Sequence, residues 1–212
     1  MVKPKLLIAT RSPGKRREIE VLLAELPYRL TFPEEAGLPE RPEEEGLESA
    51  DTFQGNAILK ARYFARLSGL PTVAEDSGLE VFSLGGLPGV RSRRFAPVAP
   101  MRGDDQDEAN NRELLRRLAG APAHRRKARY RCVVAYLERP DSVPQIFEGS
   151  CYGSIAEAPR GAGGFGYDPI FFSDELGMTF GEAPAEAKHR VSHRGRAFRA
   201  FAEWILRHAV GS

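Results

Sequence analysis

Two adjacent acids, Glu75 and Asp76, end the short apolar run Thr72–Ala74 within TVAEDSGLEVFSLGGLPG, and Ser77 and Gly78 follow at once. Carboxylates at the carboxyl end of a parallel strand face the ligand crevice of an open α/β sheet. A pair of them could hold a hard cation such as Mg²⁺ and orient or deprotonate a water, which is what phosphate chemistry needs. The triplet Asp-Ser-Gly is equally ordinary turn chemistry, Asp bonding its own backbone and Gly taking positive φ. These residues alone leave both readings open.

Three further stretches carry reactive or ligand-binding residue types. Thr10-Arg11-Ser12-Pro13-Gly14-Lys15 lies between an apolar run and a helical repeat. A strand, a turn and a helix amino terminus in that order present backbone N–H groups and the helix dipole to an anion. Lys15 is poorly placed for the dipole and well placed for an anion bound there. The spacing is not that of a Walker loop. The loop GAGGFGYD, residues 161–168, surrounds Phe165 and Tyr167 with glycines, so its backbone can approach a flat ligand and an aromatic ring can stack on a base. It reads equally as a Gly-rich turn with core aromatics. Between Lys188 and Arg199 stand Lys188, Arg190, Arg194, Arg196 and Arg199 with His189 and His193. Such a cluster suits a polyanion, and a solvated helix face has the same composition.

The elements that must position these residues follow from periodicity. Lys5–Thr10 is a buried strand. Ile19, Leu22, Leu23 and Leu26 repeat at helical spacing, so a helix is expected over Lys15–Leu26, stopped by Pro27. Tyr28–Phe32 is a second strand and Pro33–Asp51 an exposed loop whose charges are nearly all acidic. Asp51 or Thr52 caps a helix burying Phe53, Ala57, Ala61, Phe64 and Ala65 and ending at Gly69. After the strand that carries the two acids, Leu79–Ser83 reads as a further strand, and Asp104–Asn111 leads into a helix. Arg129–Leu137 and Gln145–Ile155 pair as long antiparallel strands. Ala183–Arg190 is a short helix, and a last helix lines up Phe198, Phe201, Trp204, Ile205 and His208, with His208 a packed or edge residue.

With 212 residues, 42% of them hydrophobic, the chain can bury the core of one domain, 1–212. Lys and Arg number 31 against 29 Asp and Glu, which excludes the global field of a dedicated nucleic-acid binder. The basic stretch HRRKARYR also lacks the glycine and aromatic pattern of an RNA-binding strand. Cys132 and Cys151 have no CxxC spacing and read as buried free thiols of a reducing compartment. The amino-terminal apolar run is too short for a signal peptide, and no stretch reaches the roughly 20 apolar residues of a membrane span. A cytoplasmic protein that binds no membrane is expected.

Four segments in order, LLIATRSPGKRREI, FQGNAILKAR with AEDSGLEVFSLGGLPGVRS, GGFGYDPIFF and AEAKHRVSHRGRAF, resemble the inosine/xanthosine triphosphate pyrophosphatase family from about Leu6 to Phe201. The resemblance implies an elongated α/β fold, a mixed sheet flanked by helices with two lobes around a central nucleotide cleft. It implies a Mg²⁺-dependent homodimer that hydrolyses non-standard purine nucleoside triphosphates to monophosphate and pyrophosphate. Carried over by position, Thr10, Arg11, Ser12, Pro13, Gly14 and Lys15 lie along the triphosphate. Asp76 is the proton acceptor and a metal ligand, Glu48 and Glu75 are further metal candidates, and Ser77 contacts substrate. Phe165, Gly166, Tyr167 and Asp168 wall the base and sugar, while Lys188, His193 and Arg194 read the purine and phosphates.

The chain departs from the family pattern at several points. Ser12 replaces the usual Asn, Glu75 the usual Asp, Gly55 the usual Glu before Asn-Ala, and Arg93 a small Ala. Two other functions stay open beside the enzyme. One is a nucleotide-binding sensor without turnover, and the other is a septum-formation-inhibitor-like pyrophosphatase preferring other bases, against which the SHRG and GGFGYDP segments speak.

Overall fold

Apolar β-branched and leucine runs make the strands here, and amphipathic repeats make the helices between them. The structure, a computed structural model, describes residues 3–97 and 104–209. Its strands are β1 (Lys5–Ile8), β2 (Arg29–Thr31), β3 (Thr72–Val81), β4 (Lys127–Leu137), β5 (Gln145–Ile155), β6 (Phe171–Ser173) and β7 (Met178–Thr179). They form one seven-stranded sheet in the order β2-β1-β3-β4-β5-β6-β7. The sheet is mixed: β1 is parallel to β2 and β3, with Leu7 opposite Thr31 and Thr72, whereas β6 is antiparallel to β5 and β7. The helices are α1 (Pro13–Leu22), α2 (Phe53–Ser68), α3 (Asp104–Arg117), α4 (Ala185–Val191) and α5 (His193–Ala209).

The chain divides into two compact units, one of Met1–Asp76, Cys132–Gly149 and Arg196–Ser212, the other of Ser77–Arg131 and Ser150–Gly195. Each has its own apolar cluster. In the first, Leu6, Ile8, Ile19, Val73, Val134 and Phe198 pack together. In the second the cluster includes Leu79, Leu114, Tyr130, Ile170, Phe171 and Phe180. Cys132 and Cys151 are buried free thiols, as expected.

Three sequence expectations are corrected. Residues 72–83 do not form a strand, a turn and a second strand; β3 runs unbroken through Glu75-Asp76-Ser77-Gly78 to Val81. The strand is entered as the partner of β1, with Thr72 and Val73 opposite Leu7 and Ile8, and lies next to β4 in the sheet, so the local turn preference of Asp-Ser-Gly is overridden. The first helix begins at Pro13, its fixed φ being ready-made for a first helical position, and ends at Leu22. Leu26 leaves the helix because a residue before proline is disfavoured there, yet it remains in the core. Within the expected loop 33–51, Pro42–Gly46 winds a 3₁₀ turn.

Helix α2 shows how sequence spacing becomes a buried face. Phe53, Asn56, Ala57, Lys60, Ala61, Phe64 and Ala65 are its buried residues, a stripe at i, i+3, i+4 and i+7. Thr52 caps it through Oγ1, which accepts from the Gly55 N–H at 3.0 Å, and Gly69 at φ 67° closes it.

Candidate active site

The turn after β1 is built around the amino terminus of α1. The Thr10 hydroxyl accepts from the Ser12 N–H at 3.2 Å, and Ser12 Oγ in turn accepts from the Lys15 N–H at 3.4 Å as the helix cap. Pro13 stands where an N–H would have no helical partner, and Gly14 is buried. Lys15 extends to Glu75, Nζ to Oε1 2.7 Å. Arg11 takes another direction. Its guanidinium donates to Glu44 at 2.6 and 2.7 Å, to Glu34 at 2.7 Å and to the Leu38 carbonyl at 3.1 Å. That side chain ties the acidic segment to the turn, whereas Lys15 joins Glu75 of β3.

Adjacent strand residues point to opposite faces of a sheet, and the two acids of β3 accordingly have different partners. Glu75 meets Lys15 of α1, and its Oε2 accepts from the Cys132 thiol of β4 at 3.4 Å. Asp76 turns to α2: Oδ2 accepts from the Asn56 amide at 3.0 Å and Oδ1 from Lys60 Nζ at 3.1 Å. Lys60 also donates to Glu48 Oε1 at 3.0 Å, so one ammonium lies between Glu48 and Asp76. Asn56 further accepts from the Ala50 N–H at 2.8 Å and so holds the segment between Glu48 and α2.

Asn56 and Lys60 were missed in the sequence. The available signal was their spacing, since both fall on the stripe of α2 that Ala57, Ala61 and Phe64 mark as buried. An amide and an ammonium on such a face need buried partners.

The charges explain the local acidities. Glu48, Glu75 and Asp76 place three carboxylates against the two ammonium groups of Lys15 and Lys60, an excess of one negative charge in a largely buried place. Burial raises the Asp76 carboxyl above its ordinary value; Lys60, Lys15 and the Asn56 hydrogen bond pull it down by less, and Glu48 adds to the rise. For Lys60 burial works against the charged form, but Asp76, Glu48 and Glu75 outweigh it and its affinity for the proton rises. The site thus holds an ionised carboxylate at a cost that one more cation would relieve.

Among the described residues, no three of His, Cys, Asp and Glu gather into a metal cage. Mg²⁺ does not require one. It keeps several waters and is commonly bound by one or two carboxylates together with substrate phosphates. Glu48 and Asp76, linked through Lys60 and short of positive charge, fit that mode.

The remaining predicted residues lie in the second unit. Asp168 organises the Gly-rich loop: its Oδ2 accepts from the Phe165 N–H at 2.8 Å and from Lys188 Nζ at 2.5 Å. Gly164 has φ 76°, and a Cβ on it would lie 2.0 Å from Asp168 Oδ2, so only glycine fits. Phe165 is half-buried, with Lys188 Nζ 5.1 Å and Arg194 Cζ 5.4 Å from its ring centre. Arg194 donates to Ser77 Oγ at 2.9 Å. His193 is buried and stacks on Tyr130 with ring centres 4.4 Å apart, at the start of α5. Tyr167 is buried and donates its hydroxyl to the Ser92 carbonyl at 2.8 Å, which makes it a support rather than an exposed wall. The structure therefore gathers Ser77, Phe165, Asp168, Lys188 and Arg194 into one chain of contacts. It combines an aromatic ring with two fixed cations, a surface able to take a flat, electron-rich base.

Residues 6–204 match the Ham1 family. A dITP/XTP pyrophosphatase of Geobacter sulfurreducens is 46% identical over 193 residues, 91% of this chain and 92% of the relative. One from Thermus thermophilus is 46% identical over 199 residues, 94% of this chain and 90% of that one. Among solved structures, a HAM1 protein from Coxiella burnetii superposes with a TM-score of 0.83 at 34% identity, covering 96% of this chain and 99% of its own. Likeness along nearly the whole length, in sequence and in fold, means that the chain belongs to the Ham1 family.

Proposed function

We propose that this protein is a nucleoside triphosphate pyrophosphatase that hydrolyses ITP, dITP and XTP to the monophosphate and pyrophosphate, keeping non-standard purines out of DNA and RNA. The observation that carries the reading is the set of buried Asp76 and Glu75 and half-buried Glu48 against Lys15 and Lys60 beside the cap of α1. Relatives named dITP/XTP pyrophosphatases support it. The match over residues 6–204 supports treating the chain as one catalytic domain.

Phosphoryl chemistry on a polyanion needs its charge countered and a water placed in line. The amino terminus of α1 at the Thr10–Lys15 turn meets part of the first need, and since Lys15 and Lys60 are already paired with Glu75, Glu48 and Asp76, a further cation would meet the rest. Asp76, oriented by Asn56 and Lys60, orients the water and takes its proton; one water is consumed for each phosphoanhydride bond broken. Pyrophosphatases of this family generally need a divalent metal. We assign Mg²⁺ to Asp76 and Glu48, with Glu75 nearest in line; when bound it would offset phosphate charge and polarise a phosphoryl oxygen. Phe165 stacks on the purine, Gly166, Tyr167 and Asp168 hold that ring in place, and Ser77, Lys188, His193 and Arg194 supply donors. A buried donor aimed at O6 of hypoxanthine or xanthine meets the amino group of adenine instead, and leaving it unpaired costs about 1 to 3 kcal/mol. A cytoplasmic homodimer belongs to the same proposal, and sedimentation velocity tests the dimer.

The deciding experiment is pyrophosphate release from ITP, XTP, dATP and dGTP with Mg²⁺ by the native chain and by Asp76→Asn. Rapid cleavage of ITP and XTP, lost in the variant, is the expected result. Binding of ITP without cleavage would overturn the enzyme reading in favour of a sensor.

A further inference from the structure

The loop that carries Phe165 is gripped from outside by helix α3. The N–H of Gly166 donates to Asp107 Oδ2 at 2.6 Å, and the carbonyl of the same residue accepts from Asn111 Nδ2 at 3.0 Å. Asp107 and Asn111 are four residues apart, on one face of α3, so a single helix surface holds both polar groups of one residue. Gly166 has φ 64°, and a Cβ there would meet nothing within 4 Å. Its glycine therefore answers to backbone conformation rather than crowding, and that conformation needs to be held.

The face of α3 is itself anchored. Asn110 Oδ1 accepts from the Phe95 and Ala96 N–H groups at 3.1 and 2.9 Å, and its Nδ2 donates to the Ser92 and Arg93 carbonyls at 3.3 and 3.0 Å. Tyr167, next to Gly166, donates to the same Ser92 carbonyl at 2.8 Å. The backbone that carries the Phe165 ring is thus held on one side by Asp168 and on the other, through Gly166, by α3.

We propose that Asp107 and Asn111 are positioning residues that set the Phe165 ring for the purine. They act on base affinity and base discrimination rather than on bond cleavage. The purine part rests on the function proposed above; the positioning of the loop does not.

The test uses Asp107→Ala, Asp107→Asn and Asn111→Leu in the full chain. Steady-state kinetics on ITP and dGTP with Mg²⁺ are combined with hydrogen–deuterium exchange across residues 161–168 of the free protein. Asp107→Ala and Asn111→Leu should raise KM for ITP about tenfold with kcat changed less than about threefold, and should speed exchange in the loop about tenfold. Asp107→Asn keeps an acceptor oxygen and should restore both. Unchanged exchange and KM in Asp107→Ala would overturn the proposal, as would a loss confined to kcat that Asp107→Asn does not restore. A native chain that cleaves no ITP overturns the proposed function and the purine part with it, and loop exchange then decides the positioning by itself.

Discussion

Lys60 and Asp76 are paired at 3.1 Å inside the protein, and the same ammonium reaches Glu48 at 3.0 Å. Removing it leaves two largely buried carboxylates without their shared counter-charge. Lys60→Met should therefore destabilise the fold by about 3 kcal/mol at pH 7. The loss should shrink in acid, where the carboxylates protonate. Urea unfolding at pH 7 and pH 4 checks both. ITP turnover by the folded variant should fall on the order of a hundredfold, as when one fixed donor to a developing charge is removed.

Asp76 itself trades stability for chemistry. Its folded carboxyl is raised above the ordinary 3.8 by burial. A raised acid binds its proton more readily folded than unfolded, so wild-type stability falls as pH rises from 3.8 through the folded value. Asp76→Asn carries no such penalty. It should be more stable than the wild type at pH 7, with the difference vanishing as pH falls below the ordinary carboxylate range, while ITP cleavage drops by about a hundredfold or more. Parallel thermal melts across pH 3 to 8 without added metal measure it; a variant less stable at pH 7 contradicts the account.

The Lys188–Asp168 pair is the second buried charge contact, and it also fixes the Phe165 N–H. Asp168→Ala should cost about 3 to 5 kcal/mol because Lys188 is left uncompensated. Gly164→Ala would force a Cβ within 2.0 Å of Asp168 Oδ2 at φ 76°. It should destabilise by more than about 1 kcal/mol and raise KM for ITP. Denaturant titration and steady-state kinetics read the two effects separately.

Gly55, where the family resemblance leads one to expect Glu, has little room for a side chain. A Cβ at this position would stand 2.7 Å from Ala50 Cβ and 3.1 Å from Thr52 Oγ1. Gly55→Glu alone should destabilise by about 1 to 3 kcal/mol, the usual cost of overpacking. Ala50→Gly should recover a good part of that loss in the double variant, a coupling that a double-mutant cycle by chemical denaturation reveals.

Much of the fold was legible because local pattern and tertiary context agree. The helical stripe of α2, the cap at Thr52, the stop at Gly69 and the long strands β4 and β5 all follow from spacing. The four motif segments led to the family that the whole-chain comparison supports. Where local signal and context conflict, context prevailed. Asp-Ser-Gly reads as a turn by its own chemistry, but it lies within β3, a strand set between β1 and β4 in the sheet.

The candidate site divides along the same line. Residue types along the chain dictate that there are carboxylates, lysines, a capped phosphate turn and a glycine-bound aromatic, since each depends on neighbours a few positions away. Which carboxylate meets which lysine depends on sheet alternation and on helices distant in sequence. Only the folded chain sends Glu75 to Lys15 and Asp76 to Asn56 and Lys60, diverts Arg11 to Glu34 and Glu44, and brings α3 against Gly166. Side-chain chemistry is written in the residues. Pairing is decided where the backbone, once its own hydrogen bonds are satisfied, leaves each charge facing a particular partner.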